Sequence, residues 1–260
     1  MMFAKKSLGQ NYLIDKNIIN KIINRVDIKN KNVIEIGPGK GALTKEIIKK
    51  KPRSLLLIEK DDKLSKILKQ EYSDKDKIEV LNQDVLKFNF NNIKKKNSII
   101  FGNLPYNISS QILVKIIKSK VWPPNYKDII FMFQKELGEK IIAKYPSSNY
   151  GRLSILTNYR FNIVGKFLVS PNCFFPKPKV LSMIVHLKPK KKINIQIKNM
   201  EKLEKITNIF FSNKRKMINK NLKKVLSDKK IESISNLNVK IRPENVSPEM
   251  YYKITNLSEN

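Results

Sequence analysis

The chain has 260 residues, 41% of them hydrophobic, with 53 Lys and Arg against 22 Asp and Glu, a formal net charge of +31. That length supports one large domain or two smaller ones. No apolar run approaches the roughly 20 residues that cross a bilayer, and the opening stretch MMFAKKSLGQ lacks the long apolar segment of a secretory signal. Cys173 is the only cysteine and His186 the only histidine, which argues against a disulfide, a thiolate zinc cluster, a multi-histidine metal site and a Ser-His-Asp catalyst. No metal is expected, and His186, inside the apolar run 180–187, reads as a strand residue. The charge surplus asks for a polyanionic partner, nucleic acid ahead of an anionic membrane, since no strongly amphipathic anchor accompanies it. Only six of the basic residues are Arg; exchanging Arg for Lys leaves charge unchanged, so biased residue usage does not create the surplus. The expectation is a cytoplasmic monomer without a membrane partner.

In chain order, Ile18, Ile19, Ile22, Ile23 and Val26 recur at helical spacing from Lys16. NVIEIGPGKGALTKEIIKK (32–50) then reads as strand, glycine loop and helix, and RSLLLIEKDDKLSKILKQE (53–71) repeats strand and helix. KIEVLNQDVL (77–86) supplies a third strand, NSIIFGNLPYNISSQILVKIIKS (97–119) a fourth strand and helix, and KDIIFMFQKELGEKIIAKY (127–145) a fifth pair. Such alternation predicts an α/β fold, a Rossmann-like parallel sheet with helices on both faces. Beyond Tyr145 a helix and a strand (150–170) and a proline-pinned strand (174–189) follow, then the basic linker KPKKKINIQIKN. From Met200 the pattern is helical, so residues 1–189 are expected to form the catalytic domain and 190–260 a small all-α, basic, RNA-binding domain.

In open parallel sheets the ligand sits beyond the carboxyl ends of the strands. Gly37, Glu59, Asp84 and Asn103 all fall at or just after predicted strand ends. Residues 35–41, EIGPGKG, form a loop whose third Gly follows the second by two residues, against three in the dinucleotide fingerprint. The loop suits a nucleoside with an amino-acid tail, S-adenosylmethionine (SAM). Glu59, 22 residues after Gly37, can accept from both ribose hydroxyls; otherwise it is a surface acid beside Lys60. Asp84 can accept from an adenine amine or cap the turn at Leu86.

Asn103-Leu104-Pro105-Tyr106 ends the fourth strand. A base's exocyclic amine is a poor nucleophile, its lone pair delocalised into the ring. The Asn103 side-chain oxygen and the Leu104 carbonyl can each accept one N–H, drawing the nitrogen toward tetrahedral geometry. Pro105 stiffens the loop, and Tyr106 offers a ring for stacking an extruded base, worth ~1–3 kcal/mol. No ionised general base is needed, because the amine loses its proton after attack.

The pieces KKSLGQNYLID (5–15), EIGPGKGALT (35–44), GNLPYNISS (102–110), FFPKPKVLSMIVHL (174–187), FFSNKRKMINKNLKK (210–224) and RPENVSPEMYYKITN (242–256) together resemble the ribosomal RNA small-subunit adenine dimethyltransferase family. The resemblance runs in order over nearly the whole chain, with Tyr12 where Phe is commoner and Lys177 interrupting a usual proline run. It implies SAM as cofactor and transfer of two methyls to N6 of each of two adjacent adenosines near the 3′ end of small-subunit rRNA, with a role in building the small ribosomal subunit. It carries cofactor contacts onto Asn11, Leu13, Gly37, Glu59, Asp84 and Asn103, the target-base role onto Asn103, Leu104, Pro105 and Tyr106, and a second wall of the base pocket onto Phe174. Asn11 could instead cap the following helix, and Phe174 could be core with Phe175 at the pocket. Lys214, Arg215, Lys216, Lys220, Lys223 and Lys224 are expected on RNA phosphates, with a solvated helix face as the alternative. Rival functions are a large-subunit rRNA methyltransferase, a protein-glutamine methyltransferase and a non-catalytic assembly factor. The FFPKPKV segment and the Arg-Pro-Glu tail disfavour the first, Leu104 and the charge the second, and the intact Glu59, Asp84 and Asn103–Tyr106 set the third.

Overall fold

The computed structural model describes residues 10–259; Lys5–Gly9 of the first resembling segment lie outside them. The chain divides into two compact units, one of residues 1–138 and 163–189 and one of residues 139–162 and 190–260. The helix α6 (Arg152–Arg160) thus belongs with the C-terminal helices, together with the start of the strand that follows it.

The first unit holds a seven-stranded sheet of β2 (Asn32–Ile36), β3 (Ser54–Glu59), β4 (Ile78–Asn82), β5 (Ser98–Asn103), β6 (Tyr126–Gln134), β7 (Phe161–Val169) and β9 (Ser182–Pro189), in the order β4-β3-β2-β5-β6-β9-β7. The first five strands in that order are parallel, and β9 runs antiparallel to β6. The interior strands β2, β3, β5, β6 and β9 read as near-continuous apolar runs because both faces are covered, whereas β4 and β7 at the edges leave residues exposed. Val33, Leu55, Leu57, Ile99, Phe101 and Met132 share one buried cluster with Ile19, Ile22 and Ile23 of α1 (Lys16–Ile23), Leu43 and Ile47 of α2 (Ala42–Lys49) and Leu68 of α3 (Asp62–Glu71). Successive side chains alternate between faces, so Ile34, Ile36, Ile58 and Ile100 are buried on the other side; α4 (Ser109–Ile117) is likewise buried through Ile112, Leu113 and Ile116. His186 is the strand residue expected: it lies on β9 and its Nε2 meets Asp128 Oδ1 at 2.7 Å. A two-stranded ribbon, β1 (Tyr12–Leu13) against β8 (Phe174–Phe175), completes the unit.

The second unit is helical. The long helices α7 (Met200–Phe211) and α10 (Pro248–Glu259) pack with α6, and α8 (Asn219–Lys223) and α9 (Asp228–Glu232) are short. Its core hides phenols whose hydroxyls donate to backbone carbonyls: Tyr150 to Val246, Tyr251 to Pro243 and Tyr252 to Ile155. Burying a phenol without a partner is costly, so these bonds fix where α10 sits within the unit. Burial also holds all three phenols well above their ordinary pKa. Among the described residues no helix is long and apolar enough to cross a membrane, and no three His, Cys, Asp or Glu side chains gather as metal ligands.

Candidate active site

A cavity of about 250 Å³ opens at the carboxyl ends of β2, β3, β4 and β5. Asn11, Leu13, Gly37, Glu59, Asp84, Asn103, Leu104, Pro105 and Tyr106 all line it. Parallel pairing brings them together: Ile36 stands beside Ile58 and Gly102, and Glu59 beside Asn82. Residues distant in sequence therefore converge where these strands end.

The glycine loop turns through positive φ at Gly37, Gly39 and Gly41. At Gly39 a Cβ would lie 3.0 Å from the Tyr12 ring, and φ +59 strains any other residue there, so the loop and β1 pack closely through a position that favours glycine. Gly102 answers a different need: a Cβ there would sit 2.6 Å from Leu104 Cδ2. The end of β5 that delivers Asn103 thus packs closely around a residue without a side chain.

Glu59 is 6% exposed. Its Oε2 accepts Gly39 N–H at 3.0 Å and its Oε1 accepts Asp61 N–H at 2.8 Å. Burial raises its pKa, and these backbone donors oppose the rise. A carboxylate has about four lone-pair sites, and with a further backbone hydrogen bond from Lys60 some acceptor capacity remains for a hydroxyl donor. Asp84 takes the capping position: Oδ1 accepts Leu86 N–H at 2.9 Å, while Oδ2 meets Lys60 Nζ at 2.7 Å. That ammonium chiefly holds the Asp84 carboxyl below its ordinary pKa.

Asn103 Nδ2 donates to the backbone oxygen of Asn11 at 2.9 Å. A carbonyl takes only a donor, so this bond fixes the amide's orientation and leaves Oδ1 as an acceptor. Asn11 does not cap α1; Asp15 does, accepting Ile18 N–H at 3.0 Å. Leu104 is buried. The Tyr106 hydroxyl is 2.5 Å from Ser182 Oγ on β9, which anchors the ring, and burial raises the phenol's pKa.

Neither Phe174 nor Phe175 lines the cavity: Phe174 is 3% exposed and belongs to the core cluster beside Leu13, whereas Phe175 is 66% exposed. The ribbon pairs Leu13 with Phe174 and Tyr12 with Phe175, so the inward and outward sides are set by period-two alternation. The six basic residues Lys214, Arg215, Lys216, Lys220, Lys223 and Lys224 are all exposed on the turn after α7 and on α8. Buried Ile218 and Leu222 hold that segment down, and Lys223 Nζ lies 3.2 Å from Asp228.

Several cavity residues escaped sequence reasoning as site members. Glu35 is fully buried, its Oε2 accepts Thr44 Oγ1–H at 2.7 Å, and burial pushes its pKa up to about 8; a lone carboxylate in the apolar run NVIEI was the available signal. Tyr12 donates to Gln10 Oε1 at 2.7 Å, and Lys40 Nζ sits 4.9 Å from its ring centre. Burial, then the Glu59 and Asp61 charges, pushes the Tyr12 pKa up to about 12. Nothing in the sequence marked Ser182.

The strand order, the glycine loop and the acids at the ends of β3 and β4 define a methyltransferase of the Rossmann-like class. The chain matches the ribosomal RNA adenine dimethylase family over residues 1–260 and belongs to it. It is 42% identical to ribosomal RNA small subunit methyltransferase A of Pelagibacter ubique (strain HTCC1062), covering 96% of this chain and 95% of that one. The protein of the same name from Malacoplasma penetrans (strain HF-2) is 41% identical, covering 97% of this chain and 91% of that one. Among solved structures, a dimethyladenosine transferase from Plasmodium falciparum superposes with a TM-score of 0.74 at 26% identity, over 93% of this chain and 95% of that one. The 23S rRNA methyltransferase ErmE shares the fold, with a TM-score of 0.70 at 24% identity over 96% of this chain and all of that one.

Proposed function

We propose that this protein dimethylates N6 of two adjacent adenosines near the 3′ end of small-subunit ribosomal RNA, with SAM as methyl donor, during assembly of the small subunit. The single observation that carries the reading is the Asn103 amide, oriented by Asn11 so that Oδ1 is its acceptor at the cavity. The residues present suit the donor molecule. Positive-φ glycines allow close backbone approach, the buried Glu59 carboxylate keeps acceptor capacity for a ribose hydroxyl, and Asp84 keeps it for an adenine amine. Asn11, Leu13, Gly37, Glu59, Asp84 and Asn103 would hold it, and when bound it supplies a methyl group on a sulfonium.

The chain's own part is positioning. Asn103 Oδ1 and the Leu104 carbonyl each accept one N–H of the target amine, which frees the nitrogen lone pair from the ring. Pro105 keeps the loop stiff, and Tyr106, anchored by Ser182, stacks the extruded base. Phe175, exposed beside the ribbon and outside the cavity lining, supplies the opposite wall in place of Phe174. Lys214, Arg215, Lys216, Lys220, Lys223 and Lys224 contact RNA phosphates, which set affinity and register but do not read sequence. The test is to incubate the protein with labelled SAM and under-methylated small subunits, then map the modified nucleosides. Dimethyladenosine at two adjacent positions near the 3′ end is expected. Label in large-subunit RNA or in protein instead would overturn the reading.

A further inference from the structure

The two edges of the parallel sheet differ in charge. The connections that enter β2, β3, β4 and β5, residues 24–31, 50–53, 72–77 and 93–97, carry eleven Lys or Arg against three Asp, a surplus of eight. The connections that leave the same strands toward the cavity, residues 37–41, 60–61, 83–89 and 104–108, carry three Lys against two Asp. Strands of five and six residues separate the two edges by roughly 16–20 Å.

The entering connections form one surface. Asn30 N–H donates to the Lys51 carbonyl at 3.1 Å, Arg53 N–H to Lys31 at 2.8 Å, Leu55 N–H to Lys77 at 2.8 Å, and Lys95 Nζ to Ser54 Oγ at 3.0 Å. Two depressions lie on this edge. One, of about 590 Å³, is lined by Lys29, Lys49, Lys50 and Lys51 with Asp27; the other, of about 270 Å³, by Arg53, Lys77 and Lys95 with Asp76 and Glu79. Lys29, Lys51, Arg53 and Lys77 make no ion pair among the described residues. Lys51 holds φ +52, just past the end of α2, where Gly would sit without strain; a charged side chain is kept there regardless.

Helix dipoles do not account for the surplus. The helices α1, α2 and α3 already carry Lys21, Lys49 and Lys69 in their last turns, and the effect fades beyond that turn. A membrane surface fits poorly, because peripheral binding combines charge with buried apolar area and these connections expose no large hydrophobic side chain.

We propose that this sheet edge is a second RNA-binding face, which takes the phosphate backbone of a helical segment other than the one presenting the target adenosine. The inference rests on the ribosomal RNA substrate reading above. A face this far from the cavity adds affinity for folded subunits without touching the reacting atoms, and phosphate contacts recognise a helix by shape.

Two triple variants test it, Lys29→Glu/Lys51→Glu/Lys77→Glu and the milder Lys29→Gln/Lys51→Gln/Lys77→Gln, each against intact under-methylated small subunits across a salt series. The charge-reversed protein should bind subunits about tenfold or more weakly, and the neutral one should lose about two to three from the log–log salt slope. The KM for subunits should rise in step. The kcat at saturating subunits, SAM affinity, melting temperature and methylation of a hairpin too short to span cavity and edge should stay unchanged. Unchanged subunit affinity and slope in both variants would overturn the proposal. So would an equal loss on the short hairpin, or a loss confined to binding of phosphatidylserine vesicles. If the wild type bound subunits but left them unmethylated, the activity reading would fall while the binding comparison still decided the edge.

Discussion

At the scale of single residues, a few polar atoms have their roles set by one partner each. The Asn103 amide is oriented by one backbone carbonyl, so Asn103→Ala should retain RNA binding while methyl transfer at saturating SAM drops at least about 100-fold, because positioning supplies the rate. Single-turnover transfer with separately measured affinities checks this; undiminished turnover would remove Asn103 from the chemistry. Glu35 gives a pH signature. Its folded pKa of about 8 lies above the ordinary 4.5, so the folded state binds a proton that the unfolded state has released. Its stabilising contribution is therefore complete below about pH 4.5 and is lost as pH rises toward 8. Glu35→Gln keeps a partner for Thr44 and carries no charge. Its melting temperature should exceed that of wild type increasingly between pH 5 and pH 8 and then hold a steady difference, at about 2–4 °C per kcal/mol. A constant offset across that range would refute the burial argument.

At the scale of elements, the short β1–β8 ribbon decides which aromatic residue faces what. Adjacent residues on a strand point to opposite faces, so Phe174 enters the core with Leu13 while Phe175 faces out. Phe174→Ala should cost about 3–5 kcal/mol of stability. Phe175→Ala should change stability by no more than about 0.5 kcal/mol yet raise the KM for RNA roughly 5- to 150-fold, the worth of one stacking contact. Denaturation and steady-state kinetics on both variants separate the roles, and the reverse pattern would return the base wall to Phe174. The same ribbon lays Tyr12 against Gly39, tying the N-terminal segment to the glycine loop.

At the scale of the molecule, the net charge of +31 dominates. Basic groups stand on the C-terminal unit, on the turn after α7 and α8, and on the entering edge of the sheet. Multiple phosphate contacts release multiple counterions, so raising salt from 50 to 200 mM should weaken RNA binding by about 10³-fold or more if six or more contacts form. A titration of subunit affinity against salt checks this, and a flat response would leave the charge without its partner. The cavity itself balances Lys40 and Lys60 against Glu35, Glu59 and Asp84, so the basic surplus lies outside it.

Much of the site was legible because parallel strands ending in a common cleft impose a pattern on the chain. An apolar run followed by Gly37, Glu59, Asp84 or Asn103 marks a strand end, and strand ends in such a sheet converge whatever their separation in sequence. The helix at Lys16, the sheet strands and the basic surface were readable for the same local reason: period, punctuation and composition are properties of short segments. What stayed hidden were choices made between distant residues. Phe174 and Phe175 are chemically identical neighbours, and only pairing with β1 tells them apart. Ser182 gains meaning only where β9 brings it against Tyr106, and the helix at 152–160 joins the C-terminal unit through packing that no local pattern encodes. Which groups were available and where strands end follow from the order of residues alone, because backbone propensity and hydrophobic period are local. Which partner each group meets follows from the folded chain, because hydrogen bonds and burial depend on segments far apart in sequence.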